Sequence, residues 1–314
     1  MYYPYLRGKQ FELLALRDLS ELLSSNNCKI SPIIEPVKDS STLIRVLNVL
    51  ADIGVNFNMI INPFHGELKG KTERILELLS SELPDYDNYQ LGILIDDKAK
   101  AKTLTDIIDS AAIACNGLTL IHNAITSNVN EMISLYNASL PVINNVINFE
   151  QTSSNRRYYR MFRPDTRVSL SDYFKSQSRN SDYLTIVESH FTEEHLFFKE
   201  EGYKGFGDFL TIGDNYSESG FLPYAVAIHI SYADSNNKVI VRHFVSDSND
   251  DASDVGGKFA EANAKLVAWC MPRGLSTVGL DNFYALHKSG HFPGLGTIKK
   301  YSIMNHIELM LKLI

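Results

Sequence analysis

Five short apolar runs in the first half of the chain each stop on a polar residue. That punctuation limits the fold more than any other feature. Ser31-Pro-Ile-Ile ends in Glu35 and Pro36, and Phe57-Asn-Met-Ile-Ile ends in Asn62. Leu91-Gly-Ile-Leu-Ile ends in Asp96 and Asp97, Leu118-Thr-Leu-Ile in His122 and Asn123, and Pro141-Val-Ile in Asn144 and Asn145. Runs this short, apolar throughout and bounded by turn residues, read as parallel strands buried on both faces. By subtraction, the steps from Glu35 to Asn62, Asp96, His122 and Asn145 are 27, 34, 26 and 23 residues. Each step is the length of one strand-helix unit. The expected fold is α/β, a TIM-barrel-like (β/α)8 architecture. Its chemistry belongs at the C-terminal ends of the strands.

The intervening segments support this. Tyr2 to Leu6 suits a first strand, and a helix is expected over about Lys9 to Leu23, with Phe11, Leu14, Ala15, Leu19, Leu22 and Leu23 at helical spacing. Further helices are expected over 42–53, 72–83, 99–114 and 128–136, giving six strand-helix steps by residue 150. The pattern then loosens. Met161 to Asp165, Tyr183 to Glu188 and Phe209 to Asp214 are candidate strands, with a helix around 193–200. Tyr224 to Tyr232 and Lys238 to Val245 flank the turn residues Asp234-Ser-Asn-Asn237 and read as an antiparallel hairpin. Helices are expected over 258–269 and 303–313. No linker composition interrupts the chain, so 1–314 reads as one barrel-like domain, regular over 1–150 and elaborated by insertion over 151–314.

Composition narrows the partners. A net charge of −7 argues against a surface that coats nucleic acid broadly, although a local basic patch is compatible with it. No apolar stretch is long enough to span a bilayer, and the first residues do not read as a secretion signal. Cys28, Cys115 and Cys270 are far apart and odd in number, against a disulfide framework and in favour of a reducing, cytoplasmic setting.

Candidate chemistry clusters at the strand ends. Arg7, Lys9 and Arg163 could form a cationic floor for a phosphate or carboxylate. Glu35, Asp96 and Asp214 are hard oxygen donors suited to proton transfer or to Mg²⁺. Glu35, Asp96 and Lys9 are the catalytic candidates; Asn62, His122 and Asn145 join the ligand-binding set. Lys9 with Glu35 reads equally as a structural ion pair, and His122 as hydrogen-bonded scaffolding. Gly205-Phe-Gly207 and Gly294-Leu-Gly296 are weak phosphate-loop signals, the second better read as a turn. His287 and His291 straddle Ser289-Gly290, which does not favour a helix. Arg156-Arg-Tyr-Tyr-Arg160 suits single-stranded nucleic acid or a phosphorylated ligand; its plainer reading is a solvated rim paired with the acidic loop 246–254. Two functions follow: a barrel enzyme acting on a small anionic ligand, or a non-catalytic module binding a protein or peptide through the hairpin and the Gly/His-rich segment 279–296.

Tyr3-Pro-Tyr-Leu-Arg-Gly-Lys9, Glu12, Ala15, Leu16 and Ile30-Ser-Pro-Ile-Ile-Glu35-Pro36 together resemble the beta protein family of phage and bacterial proteins. The specific matches fall mainly in the first hundred residues. The resemblance implies Lys9, Glu12, Glu35 and Asp96 as recurrent polar positions, and a role in phage-host conflict. The fifth strand departs from the family pattern, ending in His122-Asn123 where an acidic residue is expected.

Overall fold

The strand-helix alternation is carried by helices that bury one stripe each. In the computed structural model, Ser41–Asp52 turns Leu43, Val46, Leu47 and Leu50 inward, and its N-cap Ser40 accepts the Leu43 amide. The structure describes residues 1–96, 101–155, 157–217 and 222–314. Expectations on Asp97, the helix start at Ala99 and Arg156 lie outside the described residues.

In chain order the elements are β1 (Tyr5–Leu6), α1 (Gln10–Asp18), α2 (Ser20–Ser25), β2 (Ile33–Ile34), α3 (Ser41–Asp52), β3 (Phe57–Ile60), α4 (Thr72–Glu82), β4 (Tyr89–Ile95), α5 (Ala101–Ala111), β5 (Leu118–His122), α6 (Val129–Ser139), β6 (Val142–Asn148), α7 (Phe149–Thr152), β7 (Arg167–Ser171), α8 (Tyr183–Ile186), β8 (Glu188–Thr192), α9 (Glu194–Phe197), β9 (Gly205–Asp208), β10 (Ala227–Ala233), β11 (Val239–Val245), α10 (Val255–Cys270), α11 (Val278–Ser289) and α12 (Leu295–Leu313). Contacts divide the chain, read above as one domain, into two compact units. The first is Met1–Ser171 with Leu196–Asp208; the second is Asp172–His195 with Phe209–Ile314.

The first unit is the barrel. Eight strands run in the order β1-β2-β3-β4-β5-β6-β7-β9, every neighbouring pair parallel. The ring closes at its seam through Tyr2, which bridges Ile30 on one side and Phe206 on the other. Tyr3 N–H donates to Phe206 O at 2.8 Å and Phe206 N–H to Met1 O at 3.1 Å. The seam needs glycine. A Cβ at Gly205 would lie 2.5 Å from the Tyr3 ring, and one at Gly207 2.2 Å from Tyr3 O. The Gly205-Phe-Gly207 pattern is therefore the eighth barrel strand, not a phosphate loop.

The second unit has its own core. β10 and β11 form the expected hairpin, whose turn is held by Asp234 accepting the Asn236 and Lys238 amides. β8 pairs antiparallel with the far side of β11. Val226, Ile228, Ile230 and Phe244 pack with Phe259, Leu266, Phe283 and Ile298 from the three last helices. The hairpin follows the eighth barrel strand in sequence, and only the segment carrying β8 enters between β7 and β9.

Three local expectations are corrected. Tyr183 to Glu188 is not a strand: the chain makes the short helix α8, kinks at Val187 with φ +56, and only then extends as β8. Phe209 to Asp214 contains a 3-10 turn over Leu210–Ile212, so the barrel strand ends one turn earlier, at Asp208. Met161 to Asp165 spans the end of one 3-10 turn and the start of a second opened by Pro164; the strand begins at Arg167. As expected, His287 and His291 do not share a helix: α11 stops at Gly290 in the left-handed conformation, leaving His291 beyond it. The loop 246–254 finds partners inside its own unit: Asp247 pairs with Lys265, Asp251 with Lys258, and Asp254 caps α10.

Candidate active site at the barrel mouth

The barrel interior can be read from hydrogen bonds that join strands which are not neighbours. Asn58 Oδ1 on β3 accepts from Thr119 Oγ1 on β5 at 2.5 Å and from Asn144 Nδ2 on β6 at 3.4 Å. Tyr3 OH donates to Asn144 Oδ1 at 3.4 Å. Contacts of this kind cross only the inside of a barrel. Strand alternation then fixes which neighbours share that face. Tyr5 and Arg7 follow Tyr3 inward, Glu35 follows Ile33, and Asn62 follows Asn58 and Ile60. Register pairs Ile60 with Gly92, so Asp96 lies on the inward face of β4.

Glu35, Asn62 and Asp96 therefore stand at the C-terminal end of three adjacent parallel strands. Glu35 is fully buried, and both of its carboxylate oxygens are engaged. Oε2 accepts from Arg7 Nη1 at 2.5 Å and from Tyr5 OH at 2.8 Å; Oε1 accepts the Phe64 amide at 2.8 Å. Its cation is thus Arg7, not Lys9. Arg7 is two residues beyond Tyr5 and shares its inward face, and its guanidinium lies 5.2 Å from the Tyr5 ring. Gly8 permits this closeness: it has φ +62, and a Cβ there would meet Glu35 O at 2.7 Å. Asn62 is tied to the sheet, its amide exchanging hydrogen bonds with the Leu94 backbone at 2.9 Å both ways. Asn148 donates to Asn123 at 3.0 Å, a pair of inward amides at the ends of β6 and β5.

Glu12 completes this end. Lys9 is the N-cap of α1, and Glu12, three residues on, reaches back to accept the amides of Arg7, at 2.5 Å, and Lys9. This is the acidic half of a capping box. Burial raises its carboxyl pKa to about 7, against the pull of Lys9 and the two amides. The Arg7-Gly8-Lys9-x-x-Glu12 pattern thus encodes a loop geometry. The signal that could have shown it is the three-residue spacing from cap to carboxylate.

The remaining candidates lie elsewhere. His122 and Asn145 have the opposite parity to Thr119 and Asn144, so both face outward from the barrel. His122 Nε2 contacts Asn145 Oδ1 at 3.1 Å and Nδ1 contacts Tyr158 OH at 3.0 Å; burial pulls its pKa down to about 4. That is neutral scaffolding between the sheet and its cover. Arg163 precedes β7, at the N-terminal end of the barrel, with its side chain 80% exposed and paired with Asp165. The cationic floor of Arg7, Lys9 and Arg163 does not form. Asp214 belongs to the second unit, where its amide donates to Asp172 at 2.9 Å. Among the described residues no three His, Cys, Asp or Glu side chains converge to hold a metal, so the Mg²⁺ reading finds no ligand cage there. Among them, too, no helix is long and apolar enough to cross a membrane.

The class defined at this point is a closed eight-stranded parallel barrel with a charged mouth. No family model matches the chain, and no curated protein matches it. Among solved structures it is similar to N-acetylneuraminate lyase from Mycoplasma synoviae, at 10% identity and a TM-score of 0.39, over 66% of this chain and 68% of that one. The barrel assignment rests on the strand ladder itself.

Proposed function

We propose that the barrel mouth binds a small anionic ligand, phosphorylated or carboxylated. The observation that carries this reading is the buried Arg7–Glu35 pair, built at the strand ends and locked by Tyr5 and the Phe64 amide. A barrel end that needed only closing could be filled with apolar side chains at no cost in stability. Glu35 has no free oxygen for a substrate, so its role is to hold Arg7 and the loop after β3. Lys9 would meet the anion, and Asp96, half-buried at the end of β4, is the carboxylate that would move a proton if the site is catalytic. A setting in phage-host conflict rests on the resemblance to the beta protein family alone.

The test is calorimetric titration with inorganic phosphate and with citrate, each with and without MgCl₂, on the intact chain, Lys9→Met and Glu35→Gln. Lys9→Met is expected to weaken binding at least tenfold, since a charge-assisted hydrogen bond contributes ~1.5–3 kcal/mol. Glu35→Gln is expected to lower the melting midpoint. Unchanged affinity in Lys9→Met, or no binding by the intact chain, would overturn the reading. The second outcome would favour a protein- or peptide-binding module, for which the exposed Leu222 and Tyr224 ahead of the hairpin are the supporting observation.

A further inference from the structure

The barrel has a thin place in its cover. Between β6 and β7 the chain makes only a four-residue helix, α7, and two 3-10 turns, where the preceding strands are followed by helices of nine to twelve residues. A cleft of about 710 Å³ opens there on the flank of the first unit, away from the mouth residues. Its wall is aromatic. Tyr159 stacks on Tyr203 at 5.8 Å between centroids, and Phe149 meets Tyr203 edge-on at 6.1 Å. Its charge is mostly positive: Arg157 and Arg160 both line the cleft, and the guanidinium of Arg160 lies 5.5 Å from the Tyr159 ring. Among the described residues neither arginine is held in an ion pair. Glu201 is the one carboxylate on the lining.

We infer that this cleft is a second binding site, for a single nucleoside phosphate. Each part of such a ligand has a chemical counterpart. A flat base stacks on a tyrosine wall, a gain of ~1–3 kcal/mol per base. A phosphate takes charge-assisted hydrogen bonds from guanidinium groups. Ribose hydroxyls donate to a carboxylate such as Glu201. The volume lies in the range of small-molecule pockets, roughly 300–1,000 Å³, which holds one nucleotide and not a strand. The chain's net charge of −7 also disfavours a long polyanion. The basic-aromatic run in the sequence is therefore divided. Tyr158 is buried beneath the cleft as a partner of His122, while Arg157, Tyr159 and Arg160 face it.

The test uses AMP as the probe, with adenosine, inorganic phosphate and a twelve-residue oligothymidylate beside it. Titrations are run on the intact chain, the double variant Arg157→Ala/Arg160→Ala, and Lys9→Met. Both arginines are exposed, so the double variant should keep its fold, checked by its melting midpoint. AMP is expected to bind more tightly than adenosine or inorganic phosphate, with the double variant losing at least tenfold in AMP affinity and Lys9→Met losing less than the double variant. AMP binding that survives the double variant, or that falls further with Lys9→Met than with the double variant, would place the nucleotide elsewhere and overturn the assignment. So would an oligonucleotide that binds more tightly than AMP with a steep salt dependence. Absence of AMP binding would also overturn it, without touching the proposal for the mouth, which is read with phosphate and citrate through Lys9.

Discussion

The two ends of the barrel interior solve the same problem differently. Toward the N-terminal ends of the strands, Asn58, Thr119 and Asn144 satisfy one another with neutral amides and a hydroxyl, all of them nearly fully buried. Toward the C-terminal ends, Arg7, Glu35 and Glu12 are just as buried but ionisable. A neutral network needs only hydrogen-bond partners and is indifferent to pH. A charged one needs a counter-charge as well, and it responds to protons. The polarity of the lower layer is explained by mutual satisfaction alone. The upper cluster carries a cost that a purely structural end would not need, which is why the functional proposal is placed there.

The strongest way to break this contrast is Arg7→Met. It keeps much of the side-chain volume but leaves the fully buried Glu35 with only Tyr5 OH and the Phe64 amide. Removing one partner of a buried pair costs ~3–5 kcal/mol, so urea unfolding should show a loss of that order. A loss below about 1 kcal/mol would mean the pair is no more demanding than the amide layer.

Glu12→Gln is the next largest effect, and it should appear as a change of pH dependence. Burial raises the folded-state pKa of Glu12 to about 7 from an ordinary 4.5. A carboxyl whose pKa is raised on folding contributes most below pH 4.5, and the contribution is lost as pH rises through about 7. The intact chain should therefore lose stability from this group between those values, on the order of 2–3 kcal/mol. Glutamine keeps an acceptor oxygen for the capped amides and never ionises, so its stability curve should be flatter there and higher at pH 8. Parallel curves for the two proteins in chemical denaturation would rule out Glu12 as the source.

The first six strand-helix steps were legible because each strand is mostly apolar and recurs at the length of one strand-helix unit, with stops such as the cap at Ser40 and Gly54 between them. The second half was less so. β8 is Glu-Ser-His-Phe-Thr, polar at four of five positions, while the mostly apolar Tyr183-Leu-Thr-Ile just before it is helical. β9 is Gly-Phe-Gly-Asp, which has the composition of a loop and becomes a strand only because Tyr3 must pack against it. At the site, Glu35 and Asp96 were readable as strand-end carboxylates. What failed was parity. A strand end supplies two consecutive polar residues, and only one faces in. His122 and Asn145 were chosen from the outward side, where Asn123 and Asn144 are the inward neighbours, and β6 runs on past Asn145 to Asn148. Nothing within one strand says which face is inside; the cross-barrel contacts of Thr119 and Asn144 do.

Arg163→Ala should have the smallest effect, and it is informative for that reason. The sequence placed Arg163 with Arg7 and Lys9 as one cationic floor. In the fold it stands before β7, at the opposite end from Arg7, and it is tied only to its near neighbour Asp165. Both side chains are mostly exposed, so water screens the pair and neither desolvation nor a buried counter-charge is at stake. The adjoining amide layer does not depend on its charge either. The bond that joins that end to the turn runs from Asn145 Nδ2 to Thr166 Oγ1, and Thr166 is held by the backbone carbonyl of Arg163, which alanine retains. The variant should match the intact chain in melting midpoint, in its pH profile and in phosphate affinity, all measured beside Arg7→Met. A loss of phosphate binding in Arg163→Ala would move the anion site to the amide end of the barrel, and the contrast between the two ends would have to be reversed.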